Sequence, residues 1–420
     1  MNVEYKLEPG QSEAMQQKLL RWLDARFPYF FYSPNNKSQY PGGGFTARFL
    51  AAEVSGGREL LQDTERPRER VALLSYDYKN KIEALYSANP AVVDCPDVTV
   101  WDAELHVDCR DDSFVFFHPW ASVLLEEFLS FEFPETKANP IVEVRPLESQ
   151  ESYVEKVRKI QQHIEDGDIY ELNFCQGFAF ESMNWDPLQG FLDLMEISPM
   201  PFSGLFKAGP LYLLAASPER FLKKTGNKII AQPIKGTSKR GRSVEEDEQL
   251  RRQLFESEKE RAENLMIVDL MRNDLAKVSQ VGSVEVEELF GVYPFAKVHQ
   301  MISTVSSRLK HNVSIQEIFN ATFPMGSMTG APKIKCMELI EHYENFRRGW
   351  FSGTMGVMEP GGDFDFNVVI RSIVFDKANG RGYFAVGSAI TYDADPDCEF
   401  AECLLKAAAI LEVLQGKNEQ

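Results

Sequence analysis

Lys235 is the residue whose position first suggests covalent chemistry. A turn at Gly226 precedes a strand predicted over residues 229–232. Pro233 and Gly236 then break the strand pairing, so we expect Lys235 to leave the sheet at a turn. A neutral lysine amine at such a place can act as a nucleophile, although most lysines in turns are solvated charges.

Glu219 is a carboxyl group that could act together with that lysine. It follows a strand predicted over residues 211–215 and lies sixteen positions before Lys235. A hairpin around Gly226 would bring Glu219 and Lys235 into the same neighbourhood, where a carboxyl group can act as a general acid. The alternative is a surface carboxylate near a surface lysine.

Glu263 projects from a helical face that is otherwise apolar, because Ile267 and Leu270 follow it at i+4 and i+7. A carboxylate buried on such a face needs a cation beside it. The simpler alternative is an edge glutamate paired with Lys259 or Arg261.

Two further carboxylates lie one turn apart on the closing helix. Glu399, Glu402 and Lys406 share a face at i, i+3 and i+7. The two carboxylates repel each other unless a positive charge lies between them. A divalent metal would supply that charge, and so would Lys406 alone.

Other familiar catalytic patterns are excluded. Residues 323–333 look like a phosphate-binding loop, but the spacing is wrong and Pro332 removes one amide, so nucleotide binding is not expected. The six histidines are isolated, none lies in an HExxH motif, and no Ser-His-Asp or Cys-His set is visible.

Composition narrows the functional class. The chain has 420 residues, 44% hydrophobic and 26% charged, with a net charge of −18 and a pI of about 4.9. That charge argues against a nucleic-acid surface or a polybasic membrane contact. Six scattered cysteines without a CxxC pair indicate free thiols, and neither a signal sequence nor a membrane-length apolar run is visible. We therefore expect a cytoplasmic protein.

The elements that must position these residues change character along the chain. Residues 1–145 predict short elements and a variable N-terminal region that packs on the core, with a linker at 131–140. Residues 146–416 predict longer elements and a catalytic domain. Helices are expected at 11–26, 120–130, 152–166, 245–256, 258–277, 334–342 and 395–414, and strands at 113–118, 169–180, 211–215, 229–232, 284–289, 300–309, 364–375 and 382–390.

Five segments resemble, in order and spacing, the chorismate-utilising enzymes. This family includes the component I chains of anthranilate synthase and aminodeoxychorismate synthase, and the isochorismate and salicylate synthases. The lysine at position 235 resembles the aminodeoxychorismate synthase branch of the family, because the other branches usually have alanine at this position. The segments are Pro-Ile-Lys-Gly-Thr at 233–237, Glu-Asn-Leu-Met-Ile-Val-Asp-Leu-Met-Arg-Asn-Asp at 263–274, Phe-Pro-Met-Gly-Ser-Met-Thr-Gly-Ala-Pro-Lys at 323–333, Phe-Asp-Phe-Asn-x-x-Ile-Arg at 364–371, and Cys-Glu-Phe-Ala-Glu at 398–402.

The resemblance implies a fold and a set of ligands. The fold would be mixed α/β (α+β), with large antiparallel sheets flanked by helices and the site in a cleft. Mg²⁺ would be held by Glu263 and Glu402, with Glu399 in or near the shell. The residues expected to bind chorismate are Arg371, for the enolpyruvyl carboxylate, the amides around Gly387 and Ala389, for the ring carboxylate, and also Thr237 and Lys406.

The resemblance also implies a reaction and a partner. Lys235, as free amine with a lowered pKa, would attack C2 of chorismate while Glu219 protonates the departing C4 hydroxyl. Ammonia from a separate glutamine amidotransferase subunit would then add at C4 and expel the lysine. The product, 4-amino-4-deoxychorismate, would feed the 4-aminobenzoate branch of folate synthesis.

Two alternatives stay open. The chain could be an anthranilate synthase component I, or a non-catalytic subunit that binds chorismate. Two features depart from the family pattern: Gln300 stands where many relatives have histidine, and Ser388 and Ala389 replace a more glycine-rich loop.

Overall fold

The computed structural model describes residues 2–8, 10–34, 40–57, 61, 67–132 and 138–416. The helices are α1 Ser12–Arg26, α2 Lys79–Ile82, α3 Ala121–Ser130, α4 Gln150–Glu165, α5 Pro187–Ile197, α6 Val244–Glu256, α7 Glu258–Val278, α8 Ile315–Thr322, α9 Lys333–Tyr343 and α10 Pro396–Gln415. The strands of the N-terminal part are β1 Asn2–Lys6, β2 Tyr29–Ser33, β3 Arg48–Ala52, β4 Arg70–Leu74, β5 Val98–Asp102, β6 Leu105–Cys109, β7 Ser113–Phe117 and β8 Val144–Pro146. The later strands are β9 Glu171–Glu181, β10 Phe202–Ala208, β11 Leu211–Ser217, β12 Arg220–Thr225, β13 Lys228–Gln232, β14 Ile234–Lys239, β15 Glu285–Pro294, β16 Val298–Arg308, β17 Gly330–Ala331, β18 Thr354–Met358, β19 Phe364–Val368, β20 Ser372–Asp376 and β21 Arg381–Ile390.

These strands form two antiparallel sheets. In the described part of the chain, the first sheet has twelve strands in the order β1-β7-β6-β3-β2-β10-β11-β20-β21-β9-β17, with β8 beside β9. The second has nine, in the order β14-β16-β13-β12-β19-β18-β4-β5, with β15 beside β16. The expected mixed fold, with large antiparallel sheets flanked by helices, is confirmed.

Side chains alternate between the two faces of each strand, and the apolar ones form two hydrophobic cores. Phe30 and Phe31 are neighbours on β2, yet Phe30 belongs to the core that includes α1, α4, α5 and α10, while Phe31 belongs to the core between the sheets. Phe206 of the first sheet and Phe366 of the second meet in that same inner core. The first sheet is therefore covered by helices on one face and by the second sheet on the other.

The predicted helices and strands are present, with ends that differ by a few residues. Asp395 caps α10 as expected, because its carboxylate accepts from the Cys398 amide. The prediction of one strand over residues 364–375 was wrong, because this segment forms two strands, β19 and β20, which lie in different sheets. Residues 133–137 of the predicted linker lie outside the described residues.

Residues before 146 contribute strands to both sheets. Strand β2 pairs with β10 in the first sheet, and β4 pairs with β18 in the second. The division of the chain at residue 145 stays a prediction. Over the residues that the structure describes, no helix combines the length and apolar character needed to cross a membrane.

Candidate functional site

Lys235 lies in a bulge of β14. Pro233 separates β13 from β14, but both strands pair with β16. Between Ile234 and Thr237 the pairing advances three residues on β14 and two on β16, which is the signature of a β-bulge. Gly236 has a φ of +98°, a left-handed conformation that glycine adopts without strain. The predicted turn was therefore wrong, because the bulge accommodates the glycine while the strand continues.

The Lys235 amine is held between two carboxylates. Its Nζ lies 3.2 Å from Oε1 of Glu171 and 3.4 Å from Oε2 of Glu263. Burial alone would lower the pKa of the amine, but the two carboxylates outweigh burial and raise that pKa above its ordinary value. The expected lowering of the pKa was wrong for this state, because the site places two anions beside the lysine.

Glu219 lies where the chain crosses from β11 in the first sheet to β12 in the second. The hydroxyl of Ser327 donates to its Oε1 at 2.8 Å, and the Ile234 amide donates to the same carboxylate. Burial nevertheless raises the pKa of Glu219 to about 7, although Lys235 is near enough to offset part of that rise. Glu219 can therefore hold a proton near neutral pH beside Lys235, and their predicted proximity is confirmed.

The loop that carries Ser327 is fixed by an ion pair at its far end. Nζ of Lys333 lies 2.5 Å from Oδ2 of Asp274 and also donates to the Thr322 carbonyl at 3.1 Å. Asp274 is buried on α7, the helix that also carries Glu263. Helix α7 thereby holds the loop that supports the Glu219 carboxyl.

Four carboxylates form a carboxylate cluster between α7 and α10: Glu260, Glu263, Glu399 and Glu402. Burial raises the pKa of Glu260, and repulsion from Glu263 and Glu402 raises it further. Burial also raises the pKa of Glu399, with Glu402 adding to the effect. Such mutual repulsion means that a cation placed between the two helices would be stabilised.

Lysines supply part of the positive charge that this cluster needs. Nζ of Lys406 lies 2.6 Å from Glu402, as the sequence alternative proposed, and Lys259 is 3.9 Å from Glu263. Burial acts to raise the pKa of Glu402, but Lys406, together with Lys235 and Lys259, outweighs burial and lowers that pKa. Across the described ranges, no three acidic, histidine or cysteine side chains are arranged to hold a metal ion by themselves.

Arg371 lies where the chain crosses from the second sheet back to the first, after β19 and before β20. Its backbone has a φ of +52°, and its carbonyl accepts from the Ala216 amide at 3.1 Å. Burial lowers the pKa of its guanidinium, while Glu402 raises it in part. Among the described residues, no side chain or carbonyl accepts a hydrogen bond from this guanidinium, so Arg371 is available to pair with a carboxylate.

The other predicted substrate contacts lie on β14 and β21. Thr237 is exposed on β14 opposite Gln300. On β21, Gly387 and Ala389 pair with β9, and the Gly387 carbonyl accepts from Lys406 at 2.8 Å. The role of the two amides stays a prediction.

Glu171 is a site residue that the sequence analysis missed. It lies 64 positions before Lys235, and strand alternation over 169–180 was the one available signal, since Glu171 shares a strand face with Asn173 and Cys175. The side chain of Glu171 is 3% exposed. A buried carboxylate on a strand that is paired on both sides needs a partner, and that partner is Lys235.

A family model described as chorismate binding enzyme matches residues 48–412. The chain is 42% identical over 275 residues to a probable aminodeoxychorismate synthase of Oryza sativa subsp. japonica, which covers 65% of this chain and 30% of that protein. It is 32% identical over 367 residues to aminodeoxychorismate synthase component 1 of Bacillus subtilis, with 83% of this chain and 77% of that protein covered. It is also 32% identical over 402 residues to an anthranilate synthase component 1 of Haloarcula marismortui, with coverage of 89% and 82%.

The solved structures agree on the fold. Anthranilate synthase component I from Streptococcus pneumoniae superposes with a TM-score of 0.76 at 22% identity, over 98% of this chain and 92% of that one. The chain spans about 30% of the length of the aminodeoxychorismate synthases of rice and Arabidopsis thaliana, and 77% and 82% of the length of the Bacillus and Haloarcula proteins. The resemblance seen in the sequence is confirmed, and the chain belongs to the chorismate-binding enzyme family.

Proposed function

We propose that this chain converts chorismate and ammonia to 4-amino-4-deoxychorismate. The observation that carries the proposal is the electrostatic proximity of Lys235 to Glu219, a buried carboxyl group whose pKa is about 7. A primary amine and a carboxyl group that holds its proton near neutral pH are what a substitution through a lysine adduct requires. The relatives named aminodeoxychorismate synthase support the same chemistry.

The first step is a displacement by lysine. The lone pair of the neutral Lys235 amine forms a bond to C2, the two ring double bonds shift along the ring, and the C4–O bond breaks. Glu219 gives its proton to the departing oxygen, which leaves as water. Because Lys235 lies between Glu171 and Glu263, it has to lose a proton before it attacks.

The second step reverses the shift of double bonds. Ammonia forms a bond to C4, the C2–N bond breaks, and its electron pair returns to Lys235. One proton leaves the added nitrogen and restores Glu219, so the net reaction exchanges ammonia for water.

Charged groups around the lysine would hold the substrate. The guanidinium of Arg371 is free to pair with the enolpyruvyl carboxylate. Thr237, Lys406 and the amides of Gly387 and Ala389 would contact the ring and its carboxylate. These contacts would fix the ring at the distance from Lys235 that attack requires.

Mg²⁺ fits the carboxylate cluster by the chemistry of its donors. Glu263, Glu399 and Glu402 offer hard oxygen ligands, and their repulsion by neighbouring carboxylates indicates a place for a cation. Mg²⁺ normally takes one or two protein carboxylates and completes its shell with water and substrate oxygens. When bound, it would neutralise the ring carboxylate of chorismate in this acidic site.

The ammonia would come from a glutamine amidotransferase subunit. The Bacillus relative is named a component 1, which supports a second component for this chain as well. Free ammonium should replace that subunit in vitro. The six free cysteines fit a reducing cytoplasm.

The test is product identification by mass spectrometry after the purified chain is incubated with chorismate, Mg²⁺ and ammonium. We expect 4-amino-4-deoxychorismate from the wild type and a loss of product from Lys235→Ala. Anthranilate would instead support the alternative suggested by the Haloarcula relative. Absence of turnover with ammonium, and with a cognate amidotransferase, would favour a binding subunit.

A further inference from the structure

Lys235 has two carboxylate partners that differ in what else they contact. Glu263 lies 3.9 Å from Lys259 and acts electrostatically on Glu260, so it belongs to the carboxylate cluster. Glu171 contacts the same amine from β9 of the first sheet. Of these two carboxylate partners, only Glu263 is among the residues that would hold a cation.

The backbone of Glu171 is fixed from both of its sides. It pairs with Ala331 of β17, while the next residue, Leu172, pairs with Ile390 of β21. The thiol of Cys336 donates to the Glu171 carbonyl at 3.2 Å. A carboxylate on a strand held in this way keeps its position better than one on a loop.

The charge of Glu171 also depends on the lysine. Its Oε2 is buried without a hydrogen-bond partner, and in the described part of the chain Lys235 is the cation in contact with Oε1. An ionised carboxylate in such surroundings is costly unless it stays paired. The two side chains therefore hold each other in place.

We propose that Glu171 is the positioning residue of Lys235, and that it is not itself a member of the carboxylate cluster. When Glu263 is engaged by a cation, Glu171 keeps the amine at the place from which it reaches C2 of the substrate. This inference rests on the proposed function of Lys235 as the nucleophile. It assigns Glu171 no contact with chorismate or with the metal.

The experiment separates adduct formation from ligand binding. Wild type, Glu171→Gln and the control Glu181→Gln are mixed with chorismate and Mg²⁺ without ammonium, and the adduct on Lys235 is followed by intact-protein mass spectrometry. Glu181 is an exposed residue at the far end of the same strand. Binding of Mg²⁺ and of chorismate is measured by calorimetry on the same samples, and folding by thermal unfolding.

We expect Glu171→Gln to form the adduct roughly 100-fold more slowly, because a displaced nucleophile loses about that factor. Binding of Mg²⁺ and of chorismate should change less than about threefold, which is under 1 kcal/mol. Glu181→Gln should match the wild type in every measurement.

Three outcomes would overturn the inference. Adduct formation at the wild-type rate in Glu171→Gln would show that the lysine needs no such support, and the proposed function would stand. Loss of Mg²⁺ or chorismate binding would place Glu171 in the binding site. A wild type that forms neither adduct nor aminated product would reject the proposed function, and the inference with it.

A second variant covers the case in which Glu171→Gln does not fold. Glu171→Asp keeps the charge but withdraws it by one methylene. We expect a rate between those of the wild type and the glutamine variant. A folded Glu171→Asp with the full adduct rate would contradict positioning by this carboxylate.

Discussion

An ion pair between Lys235 and Glu171 links the two sheets of the protein. Lys235 is on β14 of the second sheet, Glu171 is on β9 of the first, and 3.2 Å separates Nζ from Oε1. The proposed nucleophile is therefore positioned by the way in which the sheets pack, and not by β14 alone.

Removal of the lysine should unbalance this pair. We expect Lys235→Ala to lower the free energy of unfolding by roughly 3 kcal/mol, because it leaves the Glu171 carboxylate buried without a cation. Lys235→Ala combined with Glu171→Gln should recover most of the loss. Urea unfolding at pH 8 measures both, with the exposed Lys239→Ala on the same strand as control. Equal stability of the single and double variants would show that the pair contributes nothing.

Glu219 should make stability depend on pH. Its pKa in the folded chain is about 7, against an ordinary value of 4.5. The folded chain thus binds a proton that the unfolded chain releases, so the stability contributed by this group is present below about pH 4.5 and is lost as pH rises through about 7. Glu219→Gln should remove this loss, as urea unfolding at pH 5 and pH 8 would show.

The same titration should appear in the reaction. The rate of adduct formation by the wild type should rise with pH up to about 7 and then level off. The pKa of Lys235 lies above its ordinary value, so the neutral fraction of this amine keeps growing, but above about pH 7 Glu219 loses in proportion the proton that it gives to the leaving group. A rate that keeps rising well above that pH would mean that another group acts as the acid.

Gly236 should tolerate alanine poorly for a local reason. At a φ of +98° an alanine is strained, and its Cβ would lie 3.0 Å from Oε2 of Glu260 and 3.3 Å from Cβ of Met301. Gly226→Ala is a matched control, since its φ is +59° and no atom lies within 4 Å of the added Cβ. Each change should cost about 1 kcal/mol of unfolding free energy, but only Gly236→Ala should slow product formation. Equal activity of the two variants would argue against a role for the bulge.

The carboxylate cluster should determine the Mg²⁺ requirement. We expect Glu402→Gln to weaken Mg²⁺ binding by on the order of 10-fold or more, because a charged oxygen ligand is lost. Glu258→Gln, on the exposed side of α7, should leave the affinity unchanged. Calorimetric titration in the presence of chorismate measures both, and an unchanged affinity in Glu402→Gln would remove this residue from the metal site.

Much of the fold was predictable from local patterns. Asp395 and Pro396 mark the start of α10, and Ser257 begins α7 by accepting from the Glu260 amide. The bulge at Lys235 was not predictable, because a register shift is a property of two paired strands. The partnership with Glu171 was missed for the same reason, since it depends on how two sheets pack. The direction of the Lys235 pKa shift was predicted wrongly for that reason, because the prediction did not include the carboxylate of Glu171.

Both sheets contain strands from before and from after residue 146, and this has a consequence for any shortened form of the chain. Cutting before residue 146 would remove β2 from beside β10 and β4 from beside β18, and would open one edge on each sheet. Both newly exposed strands are buried along their whole length in the intact protein. Apolar edges of that kind pair readily with other chains. The N-terminal strands thus act as edge protection, and a fragment without them would be expected to aggregate.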